Sequence, residues 1–299
     1  MSDPWMIETA ELRKTYGDME AVRGLSLQVS AGSIYGFLGR NGAGKTTTIK
    51  VLLGMARPTS GQARVFGLAA DAPEASVAIR RRTGFVSEDK DLYDFMTVEE
   101  MIRFTAPLFP RWRPDLEQRY LRRFELPQDR KVKALSRGMR TKLALLLALC
   151  RGAELLILDE PTSGLDPAMT EEVLQLLVTH VASEEMTIFF SSHQIAEVDQ
   201  IADHVAIIDR GRAVVTGALD DLRENFCRIQ LVFDGDAPQV EFRAPGVERV
   251  RRKGRVLTVL SSAGPQRVVD EARLLIPLSV DVVPVTLREI FLETVTTED

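Results

Sequence analysis

The chain has 299 residues, enough for one large domain or two modest ones with a full core. It is 45% hydrophobic, 27% charged and 6% aromatic, and its formal net charge of −5 argues against a dedicated nucleic-acid binder. Cys150 and Cys227 are its only cysteines, too few for a disulfide scaffold or a metal cluster, and they fit a reducing compartment.

The opening MSDPWMIETAELRK lacks the basic-then-apolar pattern of a secretion leader. The longest wholly apolar run, Leu143 to Cys150, is too short to cross a bilayer. Met6 to Leu12 and Val22 to Val29 read as strands punctuated by Gly17, Asp18, Gly24, Ala31 and Gly32. Tyr16, just before the Gly-Asp turn, is an aromatic ring able to stack on a base, although a lone Tyr at a strand end is most often surface packing.

Ser33 to Leu38 reads as a short buried strand and Thr46 to Leu53 as the start of a helix, with GRNGAGKT (Gly39 to Thr46) between them. Strand, glycine-rich loop and helix in that order make a complete phosphate-binding loop. Gly39, Gly42 and Gly44 let backbone N–H groups turn inward, where they and the positive end of the new helix cradle an anionic phosphate. Lys45 is placed to reach the β- and γ-phosphates, and the Thr46 hydroxyl to hold Mg²⁺. Asn41 within the loop and Thr47 just after it complete the candidate nucleotide contacts.

After a loop, Gly54 to Gly61, the pattern gives a strand (Gln62 to Phe66), a helix (Asp71 to Arg82) ending in a solvated Arg80-Arg81-Arg82 run, and a core strand (Thr83 to Glu88). A polar loop, Asp89 to Tyr93, follows. Thr97 with Glu100 forms a capping box, with Val98, Met101, Ile102, Phe104 and Thr105 at helical spacing behind it. From there to about Lys133, with Pro107, Pro110, Pro114 and Pro127 as punctuation, the chain reads as an all-helical insertion whose apolar residues pack inward, any exposed remainder being a docking surface. Leu135-Ser136-Arg137-Gly138-Met139 opens a helix apolar on nearly every face, whose N-terminus at Ser136 and Gly138 is a second potential anion site.

Glu154 to Glu160 (ELLILDE) is an apolar strand ending in Asp159 and Glu160, where ligands bind in open α/β sheets. Asp159 is expected to bind Mg²⁺ through its hydration shell and to hydrogen-bond Thr46, and Glu160 to orient and deprotonate the attacking water. A tight loop through Gly164 leads to a helix, Met169 to Ala182. His193 ends the buried strand Thr187 to Ser192 and is expected at the γ-phosphate, whereas His180 and His204 fall in helix-like or helix-end positions and receive no role.

Gly39 to Thr46, Leu135 to Met139, Leu155 to Glu160, Ser163 to Asp166 and His193, in this order and at these separations, resemble the ATP-binding cassette family over roughly residues 5 to 225. The resemblance implies an α/β P-loop NTPase fold: a RecA-like core plus a helical subdomain at about 89–134, working as a head-to-tail pair. Each ATP and its Mg²⁺ would lie between Tyr16, Lys45, Thr46, Asp159, Glu160 and His193 of one subunit and the signature residues Ser136 and Gly138 of the other. Asp166 falls in the family's D-loop. Two positions depart from the family pattern. Arg137, Gly138 and Met139 stand where two glycines and a glutamine are usual. Glu88 replaces the usual glutamine of the loop joining the lobes; it accepts but cannot donate, and is a further candidate Mg²⁺ ligand.

Within the family, GRNGAGKTT, the LSRGM variant and the ending Val285 to Leu292 resemble ATPase subunits of ABC-2-type exporters. That implies a separate membrane-spanning permease docked on the helical lobe and the Glu88 to Tyr93 loop, a position on the cytoplasmic face of the cell membrane, and pairing with a second copy or a paralogous cassette. No nucleic-acid partner is expected. The alternatives are a soluble mechanochemical cassette, against which stands the lack of a tandem cassette or coiled coil, and a regulatory ATP sensor, which steady-state phosphate release would eliminate. Residues 226–299 read as a small α+β appendage beyond a cassette at 1–225. It comprises short runs Cys227 to Phe233, Val240 to Phe242, Val247 to Val250 and Val256 to Leu260, a helix Pro265 to Ile276, a strand Val280 to Val283 and a helix Thr286 to Val295 capped through Glu289. Its basic cluster, Arg249, Arg251, Arg252, Lys253 and Arg255, reads as a solvated hairpin tip, with contact to anionic lipid or a partner as the sharper alternative.

Overall fold

A computed structural model describes residues 5–184 and 186–295. The first four residues, which open the stretch lacking a leader pattern, lie outside the described residues. The chain divides into two compact units, 1–213 and 214–299.

In chain order the first unit holds β1 (Trp5–Tyr16), β2 (Met19–Ser30), β3 (Ile34–Gly39), α1 (Lys45–Leu52), β4 (Ser60–Val65), β5 (Leu68–Ala69), α2 (Pro73–Arg82), β6 (Thr83–Val86), α3 (Val98–Thr105), α4 (Pro114–Arg123), α5 (Arg137–Leu149), β7 (Leu155–Asp159), α6 (Pro167–Glu184), β8 (Thr187–Ser192), α7 (Ile195–Ile201), β9 (His204–Asp209) and β10 (Arg212–Ala218), within which the division falls. Period-two alternation in β2, where Leu25, Leu27 and Val29 are buried and Ser26 and Gln28 exposed, gives one half-buried antiparallel sheet of order β2-β1-β4-β5. β3, β7 and β8, apolar through their middles and buried at every residue, lie inside the other sheet, of order β10-β9-β3-β8-β7-β6, in which β9, β3, β8, β7 and β6 pair in parallel. Ile7, Leu27, Val29, Ile49, Phe37 and Phe189 belong to one core that joins the antiparallel sheet, α1 and one face of the parallel sheet. The Phe37 and Phe189 rings lie 5.1 Å apart. This is the α/β class, a largely parallel core sheet with helices, that the sequence predicts.

Thr97 and Glu100 form the predicted capping box at the start of α3. Val98, Met101 and Ile102 of α3 and Leu116 and Tyr120 of α4 are buried, while Phe104 is exposed and joins Tyr93 and Phe95 in an outward cluster of rings 5.6–5.7 Å apart. The expected solvated run at the end of α2 is instead partly engaged. Arg82 makes two hydrogen bonds to the Glu154 carboxylate and lies over the Phe66 ring, and Arg80 donates to Leu53 O. His204 begins β9 rather than ending a helix, its ring stacked at 6.3 Å on Tyr35.

His180, in α6, places Nδ1 2.9 Å from the Tyr120 hydroxyl of α4. Burial, ahead of the opposing Glu184 charge, lowers its pKa from 6.5. The folded state therefore binds this proton less readily than the unfolded chain, so the contribution to stability is present above the unfolded pKa and is lost as pH falls below it. Thermal unfolding should show a midpoint that drops between about pH 7 and about pH 5, and a smaller drop in His180→Gln, which keeps a partner for Tyr120 without the titration. An equal drop in both proteins would remove His180 from the account.

The second unit contains α8 (Leu219–Asn225), β11 (Cys227–Val232), β12 (Val247–Lys253), β13 (Val256–Ser261), α9 (Gln266–Arg273), β14 (Ser279–Pro284) and α10 (Leu287–Thr294). Its antiparallel sheet has order β12-β13-β11-β14, and Val268, Val269 and Ala272 of α9 pack with Ile229, Leu231, Leu257 and Val259. Thr286 and Glu289 form the predicted box on α10. Val240 to Phe242 is not a strand: the next amides, Arg243 N and Ala244 N, donate to the Glu271 carboxylate instead of to a ladder. Arg249 and Arg251 of the basic cluster pair with Glu293 of α10, so part of that expected hairpin tip is an ion-paired sheet face.

Candidate active site

Parallel strands bring their carboxyl ends to one edge, and in this sheet β3 ends at Gly39, β7 at Asp159 and β8 at Ser192. The glycine-rich loop, the two carboxylates and His193 therefore meet at that edge although they are far apart in sequence. A cavity of about 260 Å³ opens there, lined by Met19, Ala21, Asn41, Gly42, Gly44, Lys45, Thr46, Thr47, Glu88 and Glu160.

Gly44 caps α1 with φ 104°, and a Cβ there would stand 2.5 Å from Ala21 O, so only glycine fits this turn. The first turn of α1 carries no acidic residue, leaving its positive end free for an anion. Lys45 is buried. Its Nζ donates to Gly39 O at 2.7 Å and to Arg40 O at 3.3 Å, and lies 3.0 Å from Glu160 Oε1. That last contact joins opposite charges without hydrogen-bond geometry, since Glu160 Oε1 has no hydrogen-bond partner. The other carboxylate oxygen of Glu160 is 2.8 Å from Nδ1 of the half-exposed His193. Glu160 is thus a buried carboxylate with a cation on one oxygen and an imidazole on the other, next to a phosphate-sized cradle.

Glu160 holds a left-handed backbone, φ 48°, a conformation costing a non-glycine residue on the order of 1–3 kcal/mol. Several groups hold it there. Its N–H donates to Ser191 Oγ at 3.0 Å, and its C=O accepts from Ser163 N at 3.2 Å and from Lys90 Nζ at 3.0 Å. Ser191 also donates to Asp159 Oδ1 at 2.6 Å, taking the place of the Thr46 hydroxyl expected as the partner of Asp159. Burial, ahead of the neighbouring Arg137 charge, lowers the Lys90 ammonium to about 8. Among the described residues no three carboxylate, imidazole or thiol groups converge to cage a metal; Thr46 and Glu88 at the cavity, with Asp159 ending β7 at the same edge, suit a small hard cation that keeps several waters.

The remaining predicted residues are not among those lining this cavity. Tyr16 ends β1 half-exposed, its ring 4.6 Å from Lys14 Nζ; its strand partner Met19 is the residue that lines the cavity. Ser136 is exposed and caps α5 by accepting from Met139 N at 3.2 Å, and a Cβ on Gly138 would meet Met169 Cε. Asp166 accepts from Met169 N at 3.0 Å. The Arg137 guanidinium lies over Gly164 of the same chain, close enough that a Cβ on Gly164 would collide with it.

Sequence reasoning missed Met19, Ala21, Lys90 and Ser191. For Ser191 a partial signal was available, two adjacent hydroxyl residues, Ser191 and Ser192, closing a strand whose middle, Ile188 to Phe190, is apolar; its position opposite Asp159 emerges only from the strand register. A second buried network was also missed. Glu197 accepts from Thr162 Oγ1 at 2.5 Å and from Ser192 Oγ at 2.6 Å, joining the segment after Glu160 to the residue before His193.

A family model described as ABC transporter matches residues 22–163. The chain is 35% identical over 296 residues to the bacitracin transport ATP-binding protein BcrA of Bacillus licheniformis, across 96% of this chain and 95% of that protein. It is 34% identical over 254 residues to the Nod factor export ATP-binding protein I of Ralstonia nicotianae, across 82% and 78% of the two. A solved ATP binding subunit of an ABC transporter superposes with a TM-score of 0.65 at 30% identity, covering 73% of this chain and 92% of that one.

Proposed function

The chain belongs to the ATP-binding subunits of ABC transporters, an ATPase family, and from that premise we propose that it powers a separate membrane-spanning permease, in the export direction, from the cytoplasmic face of the cell membrane. The observation that carries the hydrolytic part is the Lys45, Glu160, His193 cluster beside the phosphate cradle. Relatives named for bacitracin transport and Nod factor export support the direction. No helix among the described residues is long and apolar enough to cross a membrane, and the channel is assigned to another polypeptide.

Lys45 moves its charge from Glu160 to the β- and γ-phosphates of ATP, and the loop N–H groups bind the remaining oxygens. Glu160, released, takes a proton from the attacking water as that water bonds to the γ-phosphorus and ADP departs. His193 keeps the second Glu160 oxygen in place and meets the γ-phosphate. Mg²⁺, held by Thr46, Asp159 and Glu88, would neutralise charge building on the phosphate oxygens. Ser136, Gly138 and Asp166 do not line the cavity of their own chain, which supports their service in trans within a head-to-tail pair, two copies of this chain or one with a paralogous cassette. Tyr16, at the margin marked by Met19, stacks on adenine. Residues 1–225 form the cassette, with the helical subdomain at about 89–134, and 226–299 the accessory domain. The exposed Tyr93, Phe95 and Phe104 rings supply part of the face that meets the permease.

Tagging the chain in its native cell, solubilising membranes in mild detergent and identifying co-purifying proteins tests this. A stoichiometric polytopic membrane protein is the expected result; recovery of only soluble protein, ribosomes or nucleic acid would end the transport assignment.

A further inference from the structure

We propose that Lys90 is a positioning residue for hydrolysis, tying the loop after β6 to the backbone of Glu160 through one ammonium seated between two carbonyl oxygens. The proposal rests on the reading of Glu160 as the base. Lys90 Nζ donates to Glu88 O and to Glu160 O, both at 3.0 Å, and the residue is 6% exposed. Among the described residues it forms no ion pair within bonding reach; both acceptors are neutral carbonyls. A buried ammonium is costly to keep, and the two charge-assisted hydrogen bonds hold it there together with the nearby negative charges of Glu88, Asp159 and Glu160.

The geometry of those bonds makes Lys90 more than a loop tether. Lys90 and Glu160 both have left-handed backbones, φ 51° and 48°. Such strain persists only where surrounding contacts over-determine it. The Glu160 peptide is gripped by Ser191 on its N–H and by Ser163 N and Lys90 on its C=O. Of these, only Lys90 comes from the loop that carries Glu88 and connects the core to α3. The direction of the Glu160 carboxylate follows from its Cα geometry, so loss of the Lys90 bond lets the carboxylate drift relative to the phosphate cradle. Lys90 also lines a second cavity with Val86, Leu92, Met101, Leu147 and Arg151.

Lys90→Met keeps length and removes the donor; Lys90→Gln keeps one donor group. Steady-state ATP turnover and binding of a fluorescent ATP analogue would be measured for both, alone and combined with Glu160→Gln. For Lys90→Met the kcat should fall about 10- to 100-fold, the scale of a small misplacement of a reacting group, while the analogue Kd stays within about twofold. Lys90→Gln should lie between it and the wild type. In the Glu160→Gln background Lys90→Met should cost little more, because the group it positions is gone. A raised Kd with unchanged kcat, or an equal further loss in the Glu160→Gln background, overturns the proposal in favour of a plain tether. If Lys90→Met does not fold, Lys90→Gln decides alone by the same split of kcat from Kd. Should Glu160→Gln itself leave turnover unchanged, it is the reading of Glu160 that fails; wild-type kcat in Lys90→Met beside an inactive Glu160→Gln removes Lys90 only.

Discussion

Replacing Glu160 with Gln should lower steady-state phosphate release by about 10²- to 10⁴-fold, the usual worth of a positioned general base. The amide preserves size and shape in a site where the residue is buried and its two oxygens face Lys45 and His193. It cannot take a proton from water. The same geometry predicts the effect on binding. In the nucleotide-free chain the Glu160 carboxylate competes with phosphate for Lys45, whose ammonium lies 3.0 Å from it. Removing that negative charge frees Lys45, so affinity for ATP should hold or rise while turnover collapses. Equilibrium binding together with single-turnover kinetics would separate the two. Turnover that persists, or binding lost in parallel with it, would contradict the assignment of Glu160 as base.

Lys45→Met should abolish tight nucleotide binding and also destabilise the nucleotide-free protein. Both side chains of the Lys45–Glu160 pair are about 5% exposed, 6% and 5% respectively. Taking away one partner of a buried pair leaves an uncompensated charge, at a cost of about 3–5 kcal/mol. The His193 contact to the other Glu160 oxygen places the expectation at the lower end of that range. Adding Glu160→Gln to Lys45→Met should then restore part of the lost stability, because the stranded carboxylate is gone. Denaturant unfolding without nucleotide checks the first claim, and the double variant checks its cause. If Lys45→Met were as stable as the wild type, the charge contact would be irrelevant to the resting state.

The parts of the fold that were legible depend on local chemistry. Two capping boxes, Thr97 with Glu100 and Thr286 with Glu289, were readable because a helix start is specified by residues three apart. The phosphate loop was readable for a similar reason: the turn at Gly44 and the start of α1 need particular residue types at fixed offsets. Short apolar runs, complete in β3, spanning most of β7 and confined to Ile188 to Phe190 in β8, marked these as interior strands. Once those strands are parallel, their carboxyl ends share an edge, and the gathering of Lys45, Glu160 and His193 there follows.

Where reading failed, a distant partner decided the outcome. Val240 to Phe242 alternates like a strand, yet the amides beyond it are satisfied by Glu271, 28 residues from Arg243. Phe104 has helical spacing but lies on the outer face of α3, because neighbouring packing selects which apolar residues of a helix are covered.

Residue types at fixed short spacings thus determined the α/β class, the nucleotide-binding loop, the acidic strand end and the main helix starts from sequence alone. Only the tertiary structure decided that Ser191, rather than Thr46, partners Asp159, that Arg137 lies over Gly164, and that Lys90 reaches the carbonyl of Glu160. Each of those contacts joins elements separated by many residues. Their distances are set by how strands and loops distant in sequence come to lie side by side, which residue spacing within one segment does not specify.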